Sequence, residues 1–251
     1  MYTTLLFLYG VVFGSFFNVV GLRVPEGKSI VAPGSACPAC GHRLRSMELI
    51  PVVSYLIQKG QCRSCGGSIS LVYPLAELTT GILFAAASYL IGWNWELFAA
   101  LALISLFMII TVSDFAYMII PNKVLLVFAG IFLLIRAVAP LSPWWDSLAG
   151  AVAGFLLLLF ISIISRGGMG MGDVKLFAVI GMAVGLKTML LSFFFATFFG
   201  AFFGIVGLMA GLVKRKQPIP FGPFIAIGTL TAYFFGDAIV HAYLTMLSSG
   251  F

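Results

Sequence analysis

Only eight acidic side chains occur in this chain of 251 residues, which is 61% hydrophobic and 9% charged. A carboxylate at a membrane-spanning helix costs about 3 kcal/mol unless something compensates, so each acid needs a reason to be present. Two stand out. Asp114 ends an apolar run in Ser113-Asp114-Phe115-Ala116-Tyr117, shortly before Pro121-Asn122 opens another. Asp173 closes Gly168-Met169-Gly170-Met171-Gly172-Asp173 and precedes Val174-Lys175-Leu176. Two carboxylates at matching membrane depth on separate helices can converge and share a proton, because like charges at close range resist joint ionisation. One then acts as base on water while the other, protonated, polarises a carbonyl: the chemistry of peptide hydrolysis by an acid pair. Helix polarity suggests the roles, since the positive N-terminus near Asp173 favours charge and the negative C-terminus near Asp114 favours a proton. The plainer alternative keeps Asp173 as a helix cap and points Asp114 into water. The alternating glycines weigh toward chemistry, because backbone without Cβ leaves room for an extended substrate. Other protease chemistries lack their parts: there is no His-Glu-x-x-His, and the two histidines give cysteine or serine no base.

The four cysteines form a second constellation. Cys37-Pro-Ala-Cys40 and Cys62-Arg-Ser-Cys65 are two C-x-x-C knuckles separated by 21 residues, marginally beyond the usual zinc-ribbon spacing. Gly41 and Gly66-Gly67 follow them and suit the tight turns that let thiolates converge. Four sulfurs in tetrahedral array fit a structural Zn²⁺ with no open position. The alternatives are two disulfides, disfavoured in a reducing compartment, or redox chemistry, which would not need a duplicated motif. His42 is read as a loop residue.

The remaining acids have simpler readings. Glu26 and Glu48 belong to the polar segment that holds the cysteines. Glu96 and Asp146 lie beside Trp93, Trp95, Trp144 and Trp145 in outer interfacial loops. Asp237 has His241 one turn later, at the spacing of a local contact. Glu77 follows Pro74 by three residues, as an acid in the first turn of a helix would.

The elements that must position these residues are apolar segments long enough to cross a bilayer, which takes roughly 17–25 residues each. Eight are expected: about 5–22, 74–93, 97–114, 122–139, 147–165, 174–186, 187–213 and 221–247. The boundary between the sixth and seventh is faint, marked only by Gly185-Leu186-Lys187, so seven is the alternative count. If the N-terminus is outside, twelve of the fourteen basic residues face inward: Arg23, Lys28, Arg43, Arg45, Lys59, Arg63, Lys123, Arg166, Lys175 and the Lys214–Lys216 cluster. Only Arg136 and Lys187 then face out, as positive-inside topology favours. The net charge of +6 has this topogenic explanation, which argues against a nucleic-acid partner and leaves membrane lipid as the surrounding partner. The first segment lacks a basic start and a small-residue cleavage site, and reads as a retained span. The expected fold is an all-α polytopic membrane protein with a small cytoplasmic zinc-ribbon-like domain. Its parts are a first transmembrane helix at 1–22, a four-cysteine domain at 23–73 and a polytopic peptidase domain at 74–251.

These residues resemble a known family. The matching segments are Gly14-Ser15-Phe16-Phe17-Asn18-Val19-Val20 with Arg23 and Pro25, the two knuckles, Tyr73-Pro74-Leu75-Ala76-Glu77-Leu78-Thr79-Thr80-Gly81, Asp114 with Ile120-Pro121-Asn122, Gly170-Met171-Gly172-Asp173-Val174-Lys175-Leu176, and Ile219-Pro220-Phe221-Gly222-Pro223-Phe224. In that order they resemble the type IV prepilin leader peptidase and N-methyltransferases, which share Gly-x-Gly-Asp with presenilin-like intramembrane aspartyl proteases. The resemblance implies that Asp114 and Asp173 cleave the basic leader of type IV prepilins or type II secretion pseudopilins after a glycine, on the cytoplasmic side of a bacterial inner membrane. It further implies methylation of the new N-terminal amine, usually of phenylalanine, with S-adenosylmethionine as donor. Candidate residues for that cofactor are Gly14, Asn18, Arg23, Glu77 and Gly81; for the two glycines, close helix packing is an equal alternative. Short archaeal relatives lack the cysteine domain, so its presence favours bifunctionality. Where bacterial relatives often carry aspartate after Pro121, this chain has Asn122, which is assigned no catalysis. The competing readings are a peptidase without methyl transfer and, in a different class, a transporter or zinc-ribbon scaffold. Transporters place ionisable residues near mid-membrane, unlike these two aspartates.

Overall fold

A computed structural model describes residues 2–165, 168–211 and 219–249, and within them the regular secondary structure is helical, with two isolated bridges besides. Arg166 and the Lys214–Lys216 cluster lie outside the described residues. The long helices are α1 (Tyr2–Arg23), α3 (Val72–Ile91), α4 (Trp95–Tyr117), α5 (Asn122–Val138), α6 (Asp146–Ile164), α7 (Met171–Met209) and α8 (Gly222–Ser249). A five-residue α2 (Val53–Ile57) and a 3-10 turn (Ser46–Glu48) lie in the polar segment between α1 and α3. The chain divides into two compact units, Met1–Tyr117 and Met118–Phe251.

In the first unit, α1 packs on α3 and both pack on α4. Gly10 and Gly14 form a small-xxx-small stripe that lets two backbones approach closely, as lipid-embedded helices favour. A Cβ at Gly10 would stand 2.8 Å from Gly81 Cα, and one at Gly14 only 2.7 Å from Glu77 Cα. One end of this bundle carries an aromatic cluster of Tyr2, Trp93, Trp95 and Phe98. Amphipathic rings of this kind mark a membrane–water interface. The other end carries Asn18, Arg23 and the cysteine segment.

In the second unit, α7 packs on α5, α6 and α8. The 39 residues of α7 do not form one rod, because Gly185 breaks it with φ 81 and ψ 175, a conformation open essentially to glycine alone. Phe177 and Phe193 meet edge to face at 5.8 Å between ring centroids, whereas a straight helix would hold them about 24 Å apart. The chain therefore doubles back at Gly185 into two antiparallel arms. The break frees backbone groups that must find partners, and charged side chains supply them. Arg136 Nε donates to the Ala183 carbonyl at 2.8 Å, and Asp146 Oδ1 accepts from Leu186 N–H at 3.2 Å.

Among the described residues six helices are long and apolar enough to cross a membrane, as a multi-pass protein requires; the expected eight are not matched by that count. The difference has two sources: α5 has 17 residues, and the two arms of α7 count once. Three residues also differ from their simple sequence readings. Asp146 binds the reversal instead of standing idle in a loop. Asp237 pairs with Lys187 at 2.6 Å, while His241 contacts Thr245. Arg136 is buried.

The reversal is testable through its glycine. Gly185→Ala would force alanine into a forbidden region and against the Asp146 carboxylate. It should cost about 1–3 kcal/mol, seen as a lower melting temperature in detergent micelles. Gly130→Ala, on an open face of α5, should leave melting unchanged or raise it slightly.

Candidate active site

The cysteine segment folds as two copies of one turn. Cys37 N–H bonds the His42 carbonyl at 2.9 Å and Gly41 N–H bonds the Cys37 carbonyl at 2.9 Å. Cys62 with Gly67, and Gly66 with Cys62, repeat the pattern at 2.8 and 2.9 Å. Gly41 and Gly66 turn each knuckle at φ 70 and 69, where a Cβ would be strained. The four thiols are free, and all four sulfurs lie within 4.8 Å of one another. Cys37 and Cys65 sulfurs stand 3.9 Å apart, close to the spacing of about 3.8 Å that tetrahedral thiolates around a 2.3 Å metal bond would have. N–H groups of Cys40 and Ala39 bring the Cys37 thiol down to about 7. The His42 N–H favours the Cys40 thiolate, but neighbouring sulfurs, Cys65 first, push that thiol up to about 12. The four sulfurs thus stand at the spacing of a metal site.

Beneath the knuckles lies a cavity of about 380 Å³, whose lining includes Asn18, Arg23, Cys37, Glu48, Gln58, Cys62 and Glu77. Its size falls within the usual range for small-molecule sites. Glu77 lies in the second turn of α3, one turn deeper than the first-turn position expected, and is buried. Glu77 Oε2 accepts from Val52 N–H at 2.7 Å, tying the cysteine segment to the helix, and Ser15 is a further partner. Asn18 Nδ2 donates to the Tyr73 carbonyl at 3.2 Å, which fixes the amide and turns Oδ1 away with no partner. Arg23 Nη1 donates to the Ser29 carbonyl at 3.1 Å. Glu48 Oε2 accepts from Arg45 N–H at 2.8 Å, which, with His42 nearby, holds its carboxyl below the usual range. Of the five candidate cofactor residues, Asn18, Arg23 and Glu77 line this cavity; Gly14 and Gly81 lie instead at the α1–α3 contact. Glu48 and Gln58 line it too, although no sequence signal beyond their place in the polar segment pointed to them.

Asp114 is buried one turn before the end of α4. Asp173 is the third residue of α7 and half-buried; Gly170 precedes the helix in extended conformation. The Asp173 carboxylate folds back over Gly170, where a Cβ would meet Oδ2 at 3.3 Å. Gly172 allows a second close approach, since a Cβ there would stand 2.9 Å from Ile120 Cβ. Lys175 Nζ donates to Asn122 Oδ1 at 3.0 Å, so the residue after Pro121 helps to seat the start of α7. The Gly-rich approach thus serves packing on Ile120 and leaves a bare backbone beside the Asp173 carboxylate.

Residues 8–91 match the bacterial Peptidase A24 N-terminal domain, and residues 100–205 match the Type IV leader peptidase family. A "Prepilin leader peptidase/N-methyltransferase" of Bacillus subtilis (strain 168) is 46% identical over 243 residues, covering 97% of this chain and 98% of the relative. Proteins of the same name from Pseudomonas aeruginosa and Aeromonas salmonicida are 34% and 32% identical. The first alignment spans 94% of this chain and 91% of the relative, and the second 98% and 95%. No solved structure matches the chain at a comparable level. With both family domains in order and full-length relatives at this identity, the chain belongs to the Type IV leader peptidase family.

Proposed function

We propose that this chain is a bifunctional processing enzyme of a bacterial inner membrane. It removes the basic leader of type IV prepilins, and of type II secretion pseudopilins, after a glycine, then methylates the new N-terminus. The carrying observation is full-length similarity to relatives named for both activities, at 46% identity.

Cleavage belongs to Asp114 and Asp173, acting as an acid–base pair on the cytoplasmic side. Asp173, at a helix N-terminus, takes a proton from water, whose oxygen adds to the scissile carbonyl carbon. Protonated Asp114 donates a hydrogen bond to the carbonyl oxygen as charge builds there. Collapse of the tetrahedral species breaks the C–N bond, and the proton held by Asp173 passes to the leaving amine. The Gly168–Gly172 stretch gives the extended substrate access to this pair.

Zn²⁺ fits the four-cysteine cluster in a structural role, with Cys37, Cys40, Cys62 and Cys65 filling its shell. S-adenosylmethionine supplies the methyl group. The cavity fits it: buried Asn18 Oδ1 lacks a donor, Glu77 and Glu48 supply negative charge, and Arg23 supplies a cation. Gly14 and Gly81 act there by holding α1 against α3, which sets the spacing between Asn18 and Glu77.

Mass spectrometry separates the two activities. Purified enzyme incubated with a prepilin and S-adenosylmethionine should yield a trimmed product carrying one extra methyl group on its N-terminus. A trimmed, unmethylated product would leave a peptidase alone; an untrimmed one would remove the whole reading.

A further inference from the structure

The stretch from Met47 to Gln58 has its polarity inside out. The 3-10 turn and α2 direct Glu48, Ser54, Tyr55 and Gln58 inward, where all four line the cavity. Glu48 is buried and accepts from Arg45 N–H, and the Tyr55 hydroxyl donates to the Ile69 carbonyl at 3.4 Å. The apolar side chains face out: Met47, Ile50, Val53, Leu56 and Ile57 are all exposed, the last two 68% and 67%. A segment bathed in water arranges itself the other way round, so an outward apolar face of this kind meets something apolar.

Depth identifies that surrounding as lipid. Val52 N–H bonds Glu77 Oε2 at 2.7 Å, which holds the start of α2 level with the second turn of α3. Fourteen residues separate Glu77 from Ile91, the far end of α3 just before Trp93 of the aromatic cluster, a rise of about 21 Å. The apolar layer of a bilayer is about 30 Å thick, so, measured from those rings, Glu77 and Val52 stand inside its opposite boundary. On either side of Glu77, α3 exposes Leu75 and Leu78 as a lipid-facing helix does. Charge agrees. The exposed charged residues from 43 to 63 are Arg43, Arg45, Lys59 and Arg63, all basic, while the one acid, Glu48, is buried.

We propose that Met47–Ile57 is seated in the membrane, its apolar side chains among the upper acyl chains beside α3 and its flanking Arg45 and Lys59 among anionic headgroups. The partner is a bilayer leaflet containing anionic lipid, and the cysteine domain rests in it by one face. Apolar side chains on one face with basic residues at the edge are the arrangement of a segment lying in the interface plane. The seat holds whichever reaction the cavity serves.

Photolabelling of the full-length, metal-loaded enzyme in nanodiscs tests this. The probe is a phospholipid with a diazirine in the upper half of one acyl chain, and mass spectrometry reads adducts residue by residue. Leu56 and Ile57 should carry adducts within about threefold of those on Leu75 and Leu78. A phosphatidylglycerol probe should label them at least about twofold more than a phosphatidylcholine probe, and Arg45→Gln with Lys59→Gln should abolish that difference. Background labelling of Leu56 and Ile57, with Leu75 and Leu78 labelled, would overturn the proposal. Equal labelling by the two probes would overturn the assignment of anionic headgroups. If Leu56 were instead captured by a photoreactive leucine in the apolar helix of a bound prepilin, with lipid adducts at background, the face would belong to substrate and the proposal would fall.

Discussion

Asp114→Asn and Asp173→Asn should each lower the rate of leader cleavage by about 10³–10⁴-fold, the scale of losing a positioned acid or base in the transition state. Each substitution keeps side-chain volume, so melting in detergent and membrane insertion should stay close to the parent's. The double variant should be little worse than either single one, because two groups that work as a unit lose their effect together. That non-additivity distinguishes a dyad from two independent contributors. The roles are open to test as well. If Asp173→Asn retained cleavage while Asp114→Asn did not, base and acid would have to be exchanged. Methylation of a peptide that already begins with phenylalanine should survive both substitutions, since the cavity of the first unit contains neither aspartate. Loss of methylation in both would tie the two reactions to one site.

The second large effect concerns the metal. Cys62→Ser, or chelation of the purified enzyme, should lower methyl transfer at least about 100-fold, while leader cleavage falls much less. The domain between α1 and α3 has little apolar core of its own, only two isolated bridges, and many exposed side chains. Structural zinc contributes on the order of 10 kcal/mol to domains of this kind, far more than this segment can supply otherwise. Cys37 and Cys62 are buried and line the cavity, so loss of the metal removes a wall. Elemental analysis should find one zinc per chain in the parent and about none in the serine variant. One zinc with unaffected methyl transfer in Cys62→Ser would refute the structural role.

The helices were legible because apolar length alone predicts them, and the knuckles because C-x-x-C with a trailing glycine encodes a turn. Both are local signals. What stayed hidden is nonlocal. Gly185-Leu186-Lys187 hinted at a boundary, yet nothing nearby announces that Arg136 would reach the Ala183 carbonyl or Asp146 the Leu186 amide, 47 and 40 residues further along the chain. Asp237 was matched to His241 because helical spacing shows only neighbours on one helix, whereas its partner Lys187 lies on another. Glu77 looked like a first-turn acid because Pro74 suggested a helix start, but α3 begins at Val72 and its first turn includes that proline. The candidate cofactor residues divide similarly. Gly14 and Gly81 carry the packing between helices, and Asn18, Arg23 and Glu77 reach the cavity, a distinction that requires knowing which face of each helix meets the other.

The reversal at Gly185 limits the vertical reach of the arm that carries Asp173. Twelve residues separate the two, a rise of about 18 Å, against about 30 Å of hydrocarbon in an ordinary bilayer. The exposed Lys187–Asp237 pair beside the bend belongs among headgroups or water, so from there the arm ends roughly 12 Å short of the other face of the hydrocarbon. The peptide groups freed at the bend are satisfied from within the protein, by Arg136 and Asp146. An arm this short does not cross the full thickness by itself, and the bilayer must thin or water must enter to reach its far end.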